Sequence, residues 1–343
     1  MRLILSGLAA AIALFLAGPA LAAADPCAPP PAGSSAGKPL IARFMGVSTV
    51  LLDDGSTQIL FDGFFTRRGL LRSGFGWIRS DPATVEKNLD RAGIDQRLKA
   101  VFVAHGHVDH ALDVPVIIDR HETAMIVGTR SVDVYVKGRG RAHKICVIDK
   151  GERTFKVGDF TITAISSPHG TPDLFPRQTK GEFGETFWAP RLGSGGENLA
   201  FLVTHGARSV LIHPSATAAE TLYCGRSADV VFLGVGQMNR KSWNYIDAYF
   251  RRTLDQTGAD LVIPIHWDNF GRSLDEGLRP LPFPLDNVGK TRTALLAFAG
   301  DRKIRYFEPP TFQPLELDAL LPAARRGPVP CEPRAPTRPS SGD

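Results

Sequence analysis

Short apolar runs alternate with polar and glycine punctuation along most of this chain. Leu40–Phe44, Thr49–Leu52 and Gln58–Phe61 are apolar segments separated by Gly and Asp-Gly, the pattern of strands joined by tight turns. A loop rich in glycine, aromatic residues and arginine follows from Gly63 to Arg79. Asp81-Pro82 then predicts a helix start, with Asp as the cap and Pro at the first helical position, and the helix should end at Gly93. Leu98–Ala104 reads as a buried strand that delivers the chain into a histidine-rich turn. Beyond it, helices near Val114–Arg120 and Val132–Lys137 alternate with strands at Ala124–Val127 and Lys144–Ile148. Phe155–Val157 with Phe160–Ile165, and Leu199–Thr204 with Ser209–Ile212, read as two hairpins. Val230–Leu233 is a further strand, and Ser242 caps an amphipathic helix reaching about Gln256. Leu261–Ile265, a helix over Thr291–Phe298 and a strand over Lys303–Phe307 complete the series. Strand blocks with interspersed helices predict an α/β (α+β) domain, two sheets sandwiched between helical layers.

Composition adds boundaries and a compartment. With 343 residues, 43% hydrophobic and 22% charged, the chain can bury a large core. Met1-Arg2, the apolar run Leu3–Leu16, the break at Gly18-Pro19 and Ala20-Leu21-Ala22 make up a secretory signal, with cleavage expected after Ala22 or Ala24. The alternative is an uncleaved anchor, since Leu3–Ala24 nearly spans a bilayer. We therefore read residues 1–22 as a signal peptide and 23–38 as a flexible leader. Residues 39–321 read as the folded domain and 322–343 as a Pro- and Arg-rich flexible tail. A periplasmic or secreted protein follows. The net charge of +5 is dispersed, which does not suit nucleic-acid binding. Of the four cysteines, Cys27 and Cys331 lie near the two ends, and a clip between them is one pairing. Cys146, in an apolar run, is expected as a buried thiol.

The chemistry concentrates in Val101-Phe-Val-Ala-His105-Gly-His107-Val-Asp109-His110. A buried strand stops, and four potential ligands follow within six residues. Zinc prefers imidazole nitrogen and carboxylate oxygen where thiolates are absent. In a tight turn His105 and His107 can face one ion, while Asp109 and His110 reach a second beside it.

This segment resembles the His-x-His-x-Asp-His motif of the metallo-β-lactamase superfamily, and the resemblance continues in order from Ile41 to about Phe307. It implies a four-layer αββα sandwich with one or two Zn2+ ions at one edge. Ile59-Leu-Phe-Asp62 resembles the family's early strand, whose aspartate supports the site from behind. Ile165-Ser-Ser-Pro-His169 resembles the strand delivering the third histidine of the first metal, and Pro264-Ile-His266 the one supplying the last histidine of the second. Asp268 is a candidate carboxylate partner for His266. One departure stands out. Where the family places a bridging aspartate, this chain has His213-Pro214-Ser215. Ser215 is then a candidate to hydrogen-bond a metal-bound water, and His213 is either an unusual ligand or a plain strand-end residue. Without the bridging charge the second metal should bind more weakly.

The resemblance implies a zinc-dependent hydrolase that uses a metal-bound hydroxide, with Asp109 both ligating and carrying a proton. Its substrate would be a small lactam, lactone, ester or phosphodiester. The overall pattern sits nearer the lactonase- and phospholipase-like branches. Two alternatives stay open: a metal-binding protein of the same fold without hydrolytic activity, and a nuclease. Di-iron relatives carry a carboxylate in place of the second histidine, whereas position 107 is histidine here. The loops Gly63–Arg79 and Thr171–Glu197 follow directly on Asp62 and the His169 turn, and their aromatics and arginines could shape a pocket for an anionic or amide-bearing substrate. His121, His143 and His205 read as surface or turn residues, and Asp113 as a helix cap.

Overall fold

The apolar runs become strands because each can bury both faces between neighbouring layers. A computed structural model describes residues 25–33, 38–141, 145–170 and 173–321. The signal segment, His143, Cys331 and the tail lie outside the described residues. The strands form two seven-stranded mixed sheets. The first runs, in spatial order, Leu315–Glu316, Ile41–Phe44, Val50–Asp53, Gln58–Phe61, Leu98–Phe102, Met125–Gly128 and Ile145–Val147. The second runs Arg305–Tyr306, Leu261–Ile265, Val230–Gly234, Arg208–His213, Glu197–His205, Phe160–Pro168 and Glu152–Val157.

Three apolar cores separate four layers, as expected of an αββα sandwich. Between the sheets, Phe61, Phe102, Phe155 and Phe201 pack with ring centroids 5.3–5.6 Å apart. Outside the first sheet, Val85 and Leu89 of helix Pro82–Arg91 join Ile117, Ile118, Val132 and Val136 of the two following helices. Outside the second, Tyr249 and Phe250 of helix Trp243–Phe250 pack with Leu295 and Phe298 of helix Val288–Asp301. Among the described residues, no helix is long and apolar enough to cross a membrane.

Several expectations need correction. Asp81 caps its helix, accepting from the Thr84 amide. Asp113 makes no such cap. Its buried carboxylate instead accepts from the amides of Phe65 and Thr66, each at 2.7 Å, and from the Ser80 hydroxyl. Those bonds fold the Gly63–Arg79 segment, which is not all loop. It contains helix Leu70–Phe75 and strand Trp77–Ile78. The helix capped by Ser242 widens into a π-turn over Arg251–Asp255, where the Thr253 hydroxyl donates back to the Tyr249 carbonyl at 2.8 Å. Cys146 is not a thiol and Cys27 does not join the far end: the two form a disulfide. Cys146 lies on the outermost strand of the first sheet, where residues 25–33 can reach it. Cys224 is disulfide-bonded as well. His121 is buried rather than superficial, and His205 pairs with Asp54 at 3.2 Å.

Candidate metal centre

Strand ends carry the site. Asp62 follows Gln58–Phe61, His169 follows Phe160–Pro168 and His266 follows Leu261–Ile265. The turn after Leu98–Phe102 supplies His105 and His107, then winds into a short helix, Val108–Ala111, which places Asp109 and His110 one turn further on. The structure thus gathers six of the candidate ligands into two triads: His105, His107 and His169, then Asp109, His110 and His266.

In the first triad Nε2 of His105 lies 3.0 Å from Nδ1 of His107 and 3.2 Å from Nε2 of His169. In the second, Nε2 of His266 lies 3.3 Å from Nε2 of His110 and 3.3 Å from the Asp109 carboxylate. A tetrahedral zinc with bonds of ~2.0–2.1 Å to nitrogen would set its ligands about 3.3 Å apart, so both spacings fit. The outer nitrogens settle the tautomers of the first triad. Nδ1 of His105 donates to Asn198 Oδ1 at 3.2 Å, Nε2 of His107 to the Phe175 carbonyl at 3.2 Å, and Nδ1 of His169 to the Gly170 carbonyl at 2.8 Å. With those protons outside, the inner nitrogens converge on one centre, an arrangement that suits a cation. Burial, followed by the neighbouring imidazoles, holds the His105 pKa well below its ordinary value. Burial likewise lowers His169. Both effects favour neutral imidazoles, the form that ligates. In the second triad burial raises Asp109, but the charge of His110 and the hydrogen bond from His266 outweigh it, and Asp109 stays ionised well below the usual carboxylate range.

Asp62 sits where the sequence placed it. Its carboxylate accepts from the Ala104 amide at 2.7 Å, the Ser48 hydroxyl at 2.5 Å and Nδ1 of His110 at 2.8 Å. It thereby fixes both the His-rich turn and a ligand of the second triad. Asp268 acts differently from expectation. It accepts from the Val47 amide and from Arg67, each at 2.7 Å, rather than from the His266 ring. Val47 in turn accepts the His266 amide at 2.6 Å, so Asp268 holds His266 through a backbone relay. Asp62, Val47 and His266 all have positive φ, of 52°, 50° and 61°. Such conformations cost on the order of 1–3 kcal/mol each in non-glycine residues and persist where surrounding bonds over-determine them.

The remaining candidates are turned away from the triads. Both ring nitrogens of His213 are taken, Nδ1 by the Tyr223 hydroxyl at 2.6 Å and Nε2 by the Thr217 carbonyl at 2.7 Å. Burial pushes its pKa down to about 4. His213 is therefore a buried structural residue and not a ligand. Ser215 accepts from the Gly170 amide at 2.7 Å, which steadies the carbonyl that His169 uses. No carboxylate among the described residues takes the bridging place.

Sequence reasoning missed Asp173. Its carboxylate lies 3.3 Å from Nε2 of His107 and 3.1 Å from Nδ1 of His169, so one anion backs two ligands of the first triad. It also accepts from the Phe175 amide at 2.9 Å and the Ser194 hydroxyl at 2.5 Å, pinning both ends of the covering loop. Burial raises Asp173, but the bonds from His107 and His169 win and keep it ionised. The only signal in the sequence was its position four residues after His169, in a loop otherwise read for its aromatics.

Fold and centre together define a metal-dependent hydrolase of the αββα type. Residues 57–267 match the family model of the beta-lactamase superfamily domain. The match spans more than half of the chain, and the chain belongs to that superfamily. Similar solved structures include a metallo hydrolase of the archaeon Ignicoccus hospitalis, at 14% identity and TM-score 0.48, covering 80% of this chain and 97% of that one. The diiron β-hydroxylase CmlA of Streptomyces venezuelae is 14% identical, with TM-score 0.48, over 81% of this chain and 54% of that one. Zinc-bound PqqB of Methylobacterium extorquens is 14% identical, with TM-score 0.45, over 78% and 86%. No curated protein matches the chain in sequence.

Proposed function

We infer that this protein is a zinc hydrolase acting on a small ester-, lactone- or amide-like molecule outside the cytoplasm. The observation that carries the reading is the convergence of six donor atoms into two triads, with the protons of the first triad's imidazoles on their outer nitrogens. Nitrogen-rich, thiolate-free triads suit zinc. The first, with three imidazoles, two of them backed by Asp173, is the tight site. The second lacks a bridging carboxylate and is the weaker one. The Cys27–Cys146 disulfide supports an oxidising compartment.

A divalent cation bound here supplies an acidified water and polarises the electrophile. The chain does the rest. His105, His107 and His169 fix one side of the reaction centre, and His110 and His266 the other. Asp109, held ionised, would accept a hydrogen bond from the attacking water and orient it, and is placed to relay a proton to the leaving group. Asp62 and Asp268 keep the second triad from swinging out, and the loop pinned by Asp173 excludes bulk water from the first.

The test is metal analysis of purified protein, wild type and His107→Ala, followed by a screen of lactones, lactams, esters and phosphodiesters. One firmly held zinc per chain, with a second lost on dialysis and the first lost in His107→Ala, is expected. A wild-type chain that takes up no metal when zinc is supplied would sink the reading.

A further inference from the structure

Two segments flank the centre, one running from Gly63 to Asp81 and one from Asp173 to Glu197. They meet in a two-residue antiparallel ribbon, where Ile78 pairs with Phe187 and Trp77 with Trp188. Side chains alternate across a strand. Ile78 and Phe187 point inward and are buried in the core outside the first sheet. Trp77 and Trp188 point outward, 67% and 48% exposed. The inward pair fastens the ribbon, so packing gives no reason for the outward pair.

The outward rings continue toward the metals. Phe75, 61% exposed, stacks edge-on against Phe175 at 5.5 Å, and Phe175 meets His107 at 6.3 Å. The Trp188 indole donates to the Phe75 carbonyl at 3.0 Å, which locks the row together. An aromatic strip thus leads from the first triad to the ribbon. A contiguous row of exposed aromatic rings beside a site is the kind of surface that a ligand's apolar part can cover.

At the outer end the strip becomes cationic. Arg68, Arg72 and Arg79 line a cavity with Trp77, Ile78 and Thr186. Asp81 neutralises Arg68 at 2.6 Å. Arg72 and Arg79 have no ion pair among the described residues, which leaves two guanidinium charges beside an exposed indole.

The geometry points to a recognition strip for an anionic amphiphile: a free small molecule with an apolar arm along Phe175, Phe75 and Trp188 and an acid group at Arg72 and Arg79. The assignment deepens the hydrolase reading and rests on it for the scissile group, which would sit at the triads, but the strip itself needs no metal.

Three probes separate its parts by titration calorimetry: decanoate carries both arm and charge, 1-decanol only the arm, acetate only the charge. Decanoate, kept monomeric, is expected to bind at least tenfold tighter than either of the others. It should bind chelator-stripped wild-type protein equally well, so a failed metal site and a failed strip are told apart. Trp77→Ala/Trp188→Ala and Arg72→Gln/Arg79→Gln change exposed side chains and should each weaken decanoate at least tenfold. Decanoate binding no tighter than that of 1-decanol and acetate, or unchanged in both double variants, overturns the proposal. So does binding to phosphatidylglycerol vesicles without binding of monomeric decanoate, which would reassign the strip to a membrane surface.

Discussion

Replacing Asp173 by Asn asks what a shared carboxylate contributes to a metal centre. The isosteric amide keeps one acceptor oxygen and turns an N–H2 toward the second imidazole, so His107 and His169 cannot both be served. The loss is limited, because each ring also has a backbone acceptor, the Phe175 carbonyl at 3.2 Å and the Gly170 carbonyl at 2.8 Å. What disappears is the negative charge behind the ligands. A hydrogen bond to a charged group is worth about 1.5–3 kcal/mol, and partners on the outer nitrogen of ligating histidines typically account for about 10–100-fold in metal affinity. We expect zinc affinity at the first triad to fall by about that factor in Asp173→Asn, and at least as far in Asp173→Ala. Competition with a chromophoric chelator measures it. If Asp173→Asn holds zinc as tightly as wild type, the backbone carbonyls suffice and the carboxylate serves only the loop.

Further predictions follow from the same network. Asp62→Asn should weaken the second triad and destabilise the metal-free protein by about 1–3 kcal/mol, because three buried donors converge on that carboxylate; an unchanged urea midpoint would count against it. Arg67→Met leaves Asp268 as an unpaired buried charge, and about 3–5 kcal/mol should be lost; a loss under 1 kcal/mol would refute the relay to His266. His213, with its folded pKa of about 4 against an ordinary 6.5, binds a proton more readily in the unfolded chain. Its contribution, about 3 kcal/mol at full effect, is complete above pH 6.5 and is lost as pH falls toward 4. Denaturation of metal-free wild type and His213→Gln across that range should show a shallower pH slope in the variant, and identical slopes would assign the proton uptake elsewhere.

The strand pattern and the His-rich turn were legible because each rests on local chemistry. Continuous apolar runs need burial on both faces, and four ligands in six residues have no structural use. His169 and His266 were legible only through the resemblance, since a lone strand-end histidine has no signature of its own. His213 shows the limit. It ends a strand beside the site as a ligand would, and only the Tyr223 hydroxyl, ten residues on, shows that its lone pair is spent. Asp173 and the Arg67–Asp268–Val47 relay were invisible for the converse reason. They join residues far apart in sequence through single bonds that leave no periodicity. The cysteine pairing failed because burial of Cys146 was read as inertness, when an outermost strand leaves one side open to another segment.

That pairing also changes the unfolded chain. Cys27 and Cys146 are 119 residues apart, and the ring they close contains His105, His107, Asp109 and His110 but not His169 or His266. Denatured and oxidised, this part of the chain is a closed ring rather than a free coil, and a chain-entropy treatment puts the resulting stabilisation of the fold at about 4–5 kcal/mol for a loop this long. Thiol reductants, commonly added to protect metalloenzymes during purification, would here open that ring and release sulfur donors that compete with the imidazoles for zinc. Zinc occupancy and redox state are thus linked variables, although neither triad contains a cysteine.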